Sequence, residues 1–355
     1  MRIAVDGRSF SHPDGGFEQY LLDIIQALSE DHPSDEFNII VDTRREYSLA
    51  RKNLKTTYLP PGKLGKLSRY WWERIRLPKL LKTLGASVLI QPAKSKLLKL
   101  QIPVVLVVPD VDAIIQNKVL AKKGMNALSV VVFSTPAEAT CKQYYGEATT
   151  TILPAGAPSH FAPVEWEEKE HIKQQFADGF EYFLFFASGN SAKTDLLNVL
   201  KAFSLFKLRQ RTNMKLVIHG FGPDEPLEEL KRYKFREGVR VVGPLASEQR
   251  AKLIAGAYAF LPAGKRLMVP MIEALHCGVP VLTPATDEAV ELLGSAMLAT
   301  PLQDPADIAA QLKRIFLDED LRSRLVSAAA DRAHALSWNN TRQKMWEVIS
   351  KAVLQ

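Results

Sequence analysis

The chain has 355 residues, 46% of them hydrophobic and 24% charged, with a formal net charge of +7, a balance typical of a soluble globular protein long enough for two domains. No apolar run reaches the roughly 18 residues that a membrane span needs, and the start MRIAVDGRSF lacks the layout of a secretory signal, so a cytoplasmic protein is expected. Only two cysteines occur, Cys141 and Cys277; neither has a His or Cys partner at ligand spacing, and both are expected to be reduced core residues rather than a disulfide or a metal site.

Arg2 to Asp6 reads as a short buried strand. Gly15-Gly16 then opens a helix in which Phe17, Tyr20, Leu21, Ile24, Ile25 and Leu28 recur at three- and four-residue spacing. Apolar runs at 37–41, 87–90, 104–108 and 130–134 predict further strands. Strands alternating with helices imply a mostly parallel, doubly wound sheet. Between Arg44 and Lys99 fall 15 Lys or Arg and 2 acids, Glu46 and Glu73, an excess of +13 that leaves −6 for the rest of the chain. Tyr58, Tyr70, Trp71 and Trp72 are interleaved with these cations. Together with Lys63, Lys66 and Arg69, the tryptophans suit a surface that meets anionic lipid headgroups or a phosphate-bearing acceptor. A solvated helical face over a buried Trp pair fits the same residues. No recognition motif accompanies the basic residues, so nucleic acid is not an expected partner.

After Ile152-Leu153-Pro154 comes AGAPSHFAP and then the strongly charged EWEEKEHIKQQ, a composition shift that reads as an interdomain connection. It divides the chain into a domain over 1–165 and a second over 178–336, with a last helix, 337–355, packing back on the first. In the second half, strands are predicted at 182–187, 215–219, 239–242, 258–261 and 279–283, with helical periods at 196–208, 227–233 and 248–255 and after Pro305. Within Ala263 to Pro280, AGKRLMVPMIEALHCGVP, a short loop runs into a helix that closes on Gly278. Such a junction aims backbone N–H groups and the positive end of the helix dipole at a phosphate. Glu273 stands there among Met271, Ile272, Ala274 and Leu275, flanks that predict a buried helix in which a carboxylate needs a partner.

That stretch resembles the donor-binding signature of the family-four retaining glycosyltransferases, a Glu-Gly-Phe-Gly-Leu-Pro loop followed by Leu-Glu-Ala-Met-Ala-Cys-Gly-Val-Pro. The resemblance extends along most of the chain. Asp6-Gly7-Arg8 and Gly15-Gly16-Phe17-Glu18-Gln19-Tyr20 are similar to the family's Asp-x-Arg and Gly-Gly-x-x-Arg-Tyr. Phe133-Ser134-Thr135-Pro136, Tyr144-Tyr145-Gly146, Val241-Val242-Gly243, Ala255 to Pro262, Val290-Glu291-Leu292, Asp304-Pro305 and Ser337-Trp338 match in order and spacing. The resemblance implies an α/β GT-B fold, two facing Rossmann-like domains with an interdomain cleft, the first on the acceptor side and the second on the nucleotide-sugar side. It implies metal-free transfer of a hexose from a nucleoside-diphosphate sugar, with retention, in building cell-surface polysaccharide, and no cofactor beyond that donor. The donor-binding positions carried over are Gly15, Gly16, Gly189, Lys193, Lys265, Arg266, Val269, Glu273 and Glu291, with Glu273 facing the ribose hydroxyls.

The departures from the family pattern fall on its chemistry. Where the family has a His-Asp pair this chain has Pro109-Asp110, and proline offers neither an N–H nor a side-chain hydrogen bond. The Arg-Lys pair that neutralises the diphosphate is Lys193-Thr194. The first of two glutamates eight residues apart is Lys265, and Arg266-Leu267-Met268 replaces Gly-Phe-Gly. Two readings stay open: a pseudoenzyme that binds a sister transferase, a glycan or a lipid carrier, and an active enzyme whose diphosphate is held by Lys193, Lys265 and Arg266. The partners expected are a nucleotide sugar or nucleoside diphosphate, an anionic membrane surface or lipid-linked acceptor at the inner face of the membrane, and a sister transferase.

Overall fold

The computed structural model describes residues 1–11, 16–43, 51–60, 71–93, 100–109, 128–145, 149–187, 192–221, 228–231, 233–264 and 268–354. Two compact units divide the chain, Met1–Pro154 with Asn339–Gln355, and Ala155–Trp338. Each is built on one parallel sheet.

The first sheet contains β1 (Arg2–Asp6), β2 (Glu36–Val41), β3 (Leu54–Tyr58), β4 (Val88–Pro92), β5 (Val104–Val107), β6 (Leu128–Val132) and β7 (Thr149–Ile152), in the order β3-β2-β1-β4-β5-β6-β7. The second contains β8 (Tyr182–Phe186), β9 (Lys215–His219), β10 (Val239–Val242), β11 (Ala259–Pro262), β12 (Val281–Thr283) and β13 (Met297–Ala299), in the order β10-β9-β8-β11-β12-β13. In both sheets the strand order reverses beside the first strand, between β1 and β4 and between β8 and β11. At such a switch point the loops leaving the carboxyl ends diverge and open a crevice.

Burial explains which strands the sequence displays. Inner strands such as VVLV of β5 and YFLFF of β8 are buried along their whole length, as a parallel sheet covered on both faces requires. Three strands absent from the expectations, β3, β7 and β13, lie at or next to open ends of the sheets. The outermost two of the first sheet read LKTTY and TTTI. Polar residues on an edge discourage pairing with another chain, and they also erase the apolar run that marks a strand.

The domain boundaries at 165 and 178 require correction, because both fall inside the second unit. The charged segment is not a connection but a helix, Trp166–Ala177, whose Ile172 and Phe176, one turn apart, are buried. It presses on Gly256, where an added Cβ would collide with Ile172 Cγ2. At Gly156 an added Cβ would lie 2.5 Å from Trp338 N, so the segment that begins the second unit packs against the one that ends it. The last helix, Trp338–Leu354, groups with the first unit beyond its first residue. Thr341 Oγ1 donates to Pro154 O at 2.6 Å, Arg342 Nη1 reaches both Asp31 oxygens at 2.8 Å, and Trp346 stacks on His32 with ring centroids 3.5 Å apart. Among the described residues no helix is long and apolar enough to cross a membrane.

Candidate functional site

At the carboxyl edge of the second sheet lie the elements that carry the described donor candidates Lys193, Val269 and Glu273. β8 and β11 are neighbours, with Phe186 opposite Pro262, so the segments that follow them rise side by side. After β8 comes the helix Ala192–Gln210, with Lys193 and Thr194 exposed in its first turn and Asp195 buried. After β11 the chain turns at Gly264, whose φ of +76° is a left-handed conformation that glycine adopts without strain. The Gly264 N–H donates to Asp195 Oδ2 at 2.7 Å, which ties the turn after β11 to the first turn of the helix after β8. Gly189, Lys265 and Arg266 lie outside the described residues.

Beside this tie, β9 ends on His219 and is followed by Gly220. Gly220 has φ +105°, and a Cβ there would lie 2.0 Å from Ala187 O; only glycine lets the two backbones approach this closely. His219 is buried, its ring edge-on to Phe186 at 5.0 Å and its Nδ1 3.2 Å from Val242 O. Burial lowers its pKa, the Val242 carbonyl opposes that in part, and the Arg250 charge lowers it further.

The helix Met268–His276 carries Val269 and Glu273 one turn apart, both buried, and ends at Gly278 with φ +67°. Glu273 is 1% exposed. Its carboxylate is gripped by Arg250 from the helix Ser247–Ala255, with Nη2 to Oε1 at 2.6 Å and Nε to Oε2 at 3.1 Å. The Arg250 guanidinium also lies 5.4 Å from the Phe161 ring centre. Next to the pair, burial and then the Glu273 charge push the Cys277 thiol well up, so it stays protonated. Glu291 stands apart from this edge's buried pair, exposed on the helix Asp287–Leu293, and Arg332 Nη2 donates to its backbone oxygen.

In the first unit the carboxyl end of β1 supports a second ionic cluster. Arg8 Nη2 meets Asp6 Oδ2 at 2.7 Å and Nη1 meets Glu73 Oε1 at 3.3 Å, while the guanidinium lies 4.3 Å from the Trp72 ring centre. Burial would depress the basicity of Arg8, but Asp6 and then Glu73 outweigh it and hold it above the ordinary value. Gly16, with φ +83°, precedes the helix Phe17–Asp31; Gly15 and Asp110 lie outside the described residues. Pro109 follows Val108 past the end of β5 and is half-buried.

The Trp pair of the basic window is split. Trp71 is 57% exposed, whereas Trp72 is 2% exposed, its indole N–H donating to Leu59 O at 2.9 Å. Trp72 is therefore not a surface residue, because successive helical positions point about 100° apart and only one of the two can face water. Lys63, Lys66 and Arg69 lie outside the described residues.

Sequence reading missed Arg250, Asp195 and the Arg8–Glu73 contact. Only Glu273 carried a signal, since a carboxylate on an apolar helix requires a cation nearby.

Residues 181–318 match the family model of the glycosyl transferases group 1. The match lies wholly within the second unit. Curated relatives include an O-antigen chain mannosyltransferase B of Escherichia coli, 24% identical over 187 residues, which are 51% of this chain and 49% of that protein. The chain thus spans about half the length of that relative in the match. Among solved structures, WaaG, a glycosyltransferase involved in lipopolysaccharide biosynthesis, superposes with a TM-score of 0.78 at 16% identity over 98% of this chain and 99% of that one. Anabaena HepE in complex with UDP-glucose gives 0.74 at 16% identity over 99% and 100%. The fold of this chain is accordingly GT-B.

Proposed function

We propose that this protein takes up a nucleoside-diphosphate sugar at the carboxyl edge of its second unit, within the assembly of a cell-surface polysaccharide, and that transfer from it is weak or absent. One observation carries the reading. Glu273, the signature carboxylate that remains, is 1% exposed and held bidentately by Arg250, so its charge is already matched inside the protein. Pro109 offers no group to the sugar, and the first turn of the helix after β8 has one cation, Lys193, followed by Thr194. Losing one group that stabilises developing charge commonly costs on the order of 10²–10³ in rate.

The coarse setting draws support from the mannosyltransferase and lipopolysaccharide enzymes that the chain is similar to, and the donor class from the UDP-glucose bound to HepE. A second reading, retaining hexose transfer with Lys193, Lys265 and Arg266 as the diphosphate clamp, draws on the exposure of Lys193 beside the Gly264–Asp195 tie. The basic window and exposed Trp71 suit binding at an anionic membrane face or to a lipid-linked acceptor, and a sister transferase is a further partner of this reading. Thermal shift with UDP, GDP and their hexose conjugates, followed by donor hydrolysis and transfer assays, tests both. A raised melting temperature without turnover is expected. No shift with any nucleotide removes the donor reading, and turnover favours the clamp.

A further inference from the structure

A second concave site lies on the opposite edge of the second sheet. It surrounds the amino ends of β9 and β10, where Lys215 and Val239 begin their strands. The groove has a volume of about 710 Å³ and is lined by five cations, Lys207, Lys215, Lys231, Lys234 and Arg236, against one carboxylate, Glu237. Its apolar walls are Phe180, Tyr233 and Phe235.

Two of the ammonium groups are fixed by carbonyl oxygens. Lys207 Nζ donates to Thr212 O and, at 3.2 Å, to Met214 O; Lys215 Nζ donates to Glu237 O at 2.8 Å. Carbonyls orient these groups without cancelling their charge. Lys215 Nζ lies 3.7 Å from Asp178 Oδ2, and Asp178 is held more closely by Arg240 at 2.6 Å. The Lys215 side chain is 17% exposed, so water screens its charge less than on an open surface. Burial first, and then the charge of Lys215, lower the pKa of Lys207, the direction that crowding of like charge gives.

We propose that this groove is a binding site for a small phosphorylated ligand carrying at least two negative charges, separate from the donor edge of the same sheet. Its volume falls in the range of small-molecule pockets, roughly 300–1,000 Å³, and accommodates a sugar bisphosphate or an oligophosphate. Convergent ammonium and guanidinium groups match phosphate oxygens, with Arg236 able to bind in a bidentate manner. Aromatic walls exclude water from the ligand's carbon face. Parallel strands place their amino and carboxyl ends on opposite edges, so this site is a strand length, roughly 15 Å, from the Gly264–Asp195 tie.

The test is calorimetric titration of the full chain with tripolyphosphate and with a hexose bisphosphate. Both are expected to bind, and the double variant Lys234→Glu/Arg236→Glu, at two exposed positions, to weaken binding roughly tenfold or more. Lys193→Glu on the donor edge is expected to change it by less than about twofold, as a distant charge is screened. If the double reversal loses its melting transition, Lys234→Gln/Arg236→Gln replaces it and is expected to weaken binding in the same direction. The proposal is overturned by absence of binding, by unchanged binding in a folded double variant, or by binding that Lys193→Glu abolishes. Vesicles of equimolar phosphatidylcholine and phosphatidylglycerol distinguish a headgroup source. Binding to vesicles without binding of either soluble phosphate also overturns the small-ligand assignment.

Discussion

Arg250 and Glu273 form a two-point ion pair between separate helices, at 2.6 and 3.1 Å, with side-chain exposures of 6% and 1%. Desolvating both groups is costly, and the short paired contacts offset that cost only while both partners are present. The pair therefore fixes the helix that follows the β11 loop to the helix before β11. The charge of the signature carboxylate thus acts first within the fold.

Removing one partner should be far worse than removing both. Arg250→Met is expected to destabilise the second unit by about 3–5 kcal/mol, because a buried carboxylate loses its cation. Arg250→Met/Glu273→Met is expected to recover most of that loss, since apolar side chains of similar volume avoid the desolvation cost. Urea denaturation of the two variants and the parent measures it; equal losses in the single and double variants count against a coupled pair.

What could be read from the sequence follows the distribution of burial. The apolar runs of β5 and β8 are visible because both faces of an inner parallel strand are covered. LKTTY and TTTI are not, because an edge strand has no such run. The helix Trp166–Ala177 was hidden by its charge: three acids and two lysines outnumber the buried Ile172 and Phe176 that place it. In the candidate site, positions adjacent in sequence were legible and pairings across it were not. Asp195 and Gly264 lie 69 residues apart and meet only because β8 and β11 are neighbours.

The buried His219 should make stability fall at mildly acidic pH. Its folded pKa is lowered from about 6.5, so between that folded value and 6.5 the unfolded chain binds a proton that the native state does not. Its contribution is complete above pH 6.5 and declines as the pH drops below it, by at most about 1.4 kcal/mol per pH unit. Unfolding free energies at pH 7.5 and 5.5 for the parent and His219→Gln check this. A flatter profile is expected for the variant, and identical slopes assign the decline elsewhere.

Trp71 and Trp72 should separate surface binding from stability. Trp72→Ala is expected to cost about 3–5 kcal/mol, as loss of a large buried ring does, and Trp71→Ala less than about 0.5 kcal/mol. Cosedimentation with anionic vesicles should fall for Trp71→Ala and fall further with added salt. Equal binding to neutral and anionic vesicles removes the headgroup reading of the basic window.

Pro109, Thr194 and Lys265 stand where the family pattern has a histidine, a second cation and a carboxylate, so ordinary UDP- and GDP-hexoses should be hydrolysed and transferred slowly or not at all. Pro109→His, Thr194→Lys and Lys265→Glu introduced together restore a hydrogen-bonding ring, a diphosphate cation and a sugar acceptor. Gains in donor hydrolysis or nucleotide affinity are expected from this triple variant, although Arg266, Leu267 and Met268 remain where the family has Gly-Phe-Gly. Thermal melting of the variant confirms that it folds. A parent turnover within the usual enzyme range of roughly 1–10³ s⁻¹ sinks the weak-transfer reading and assigns the diphosphate to Lys193, Lys265 and Arg266. The discriminating variant is then Lys193→Ala, which should leave turnover unchanged if the first turn of the helix after β8 takes no part and lower it on the order of 10²-fold if it holds the leaving group.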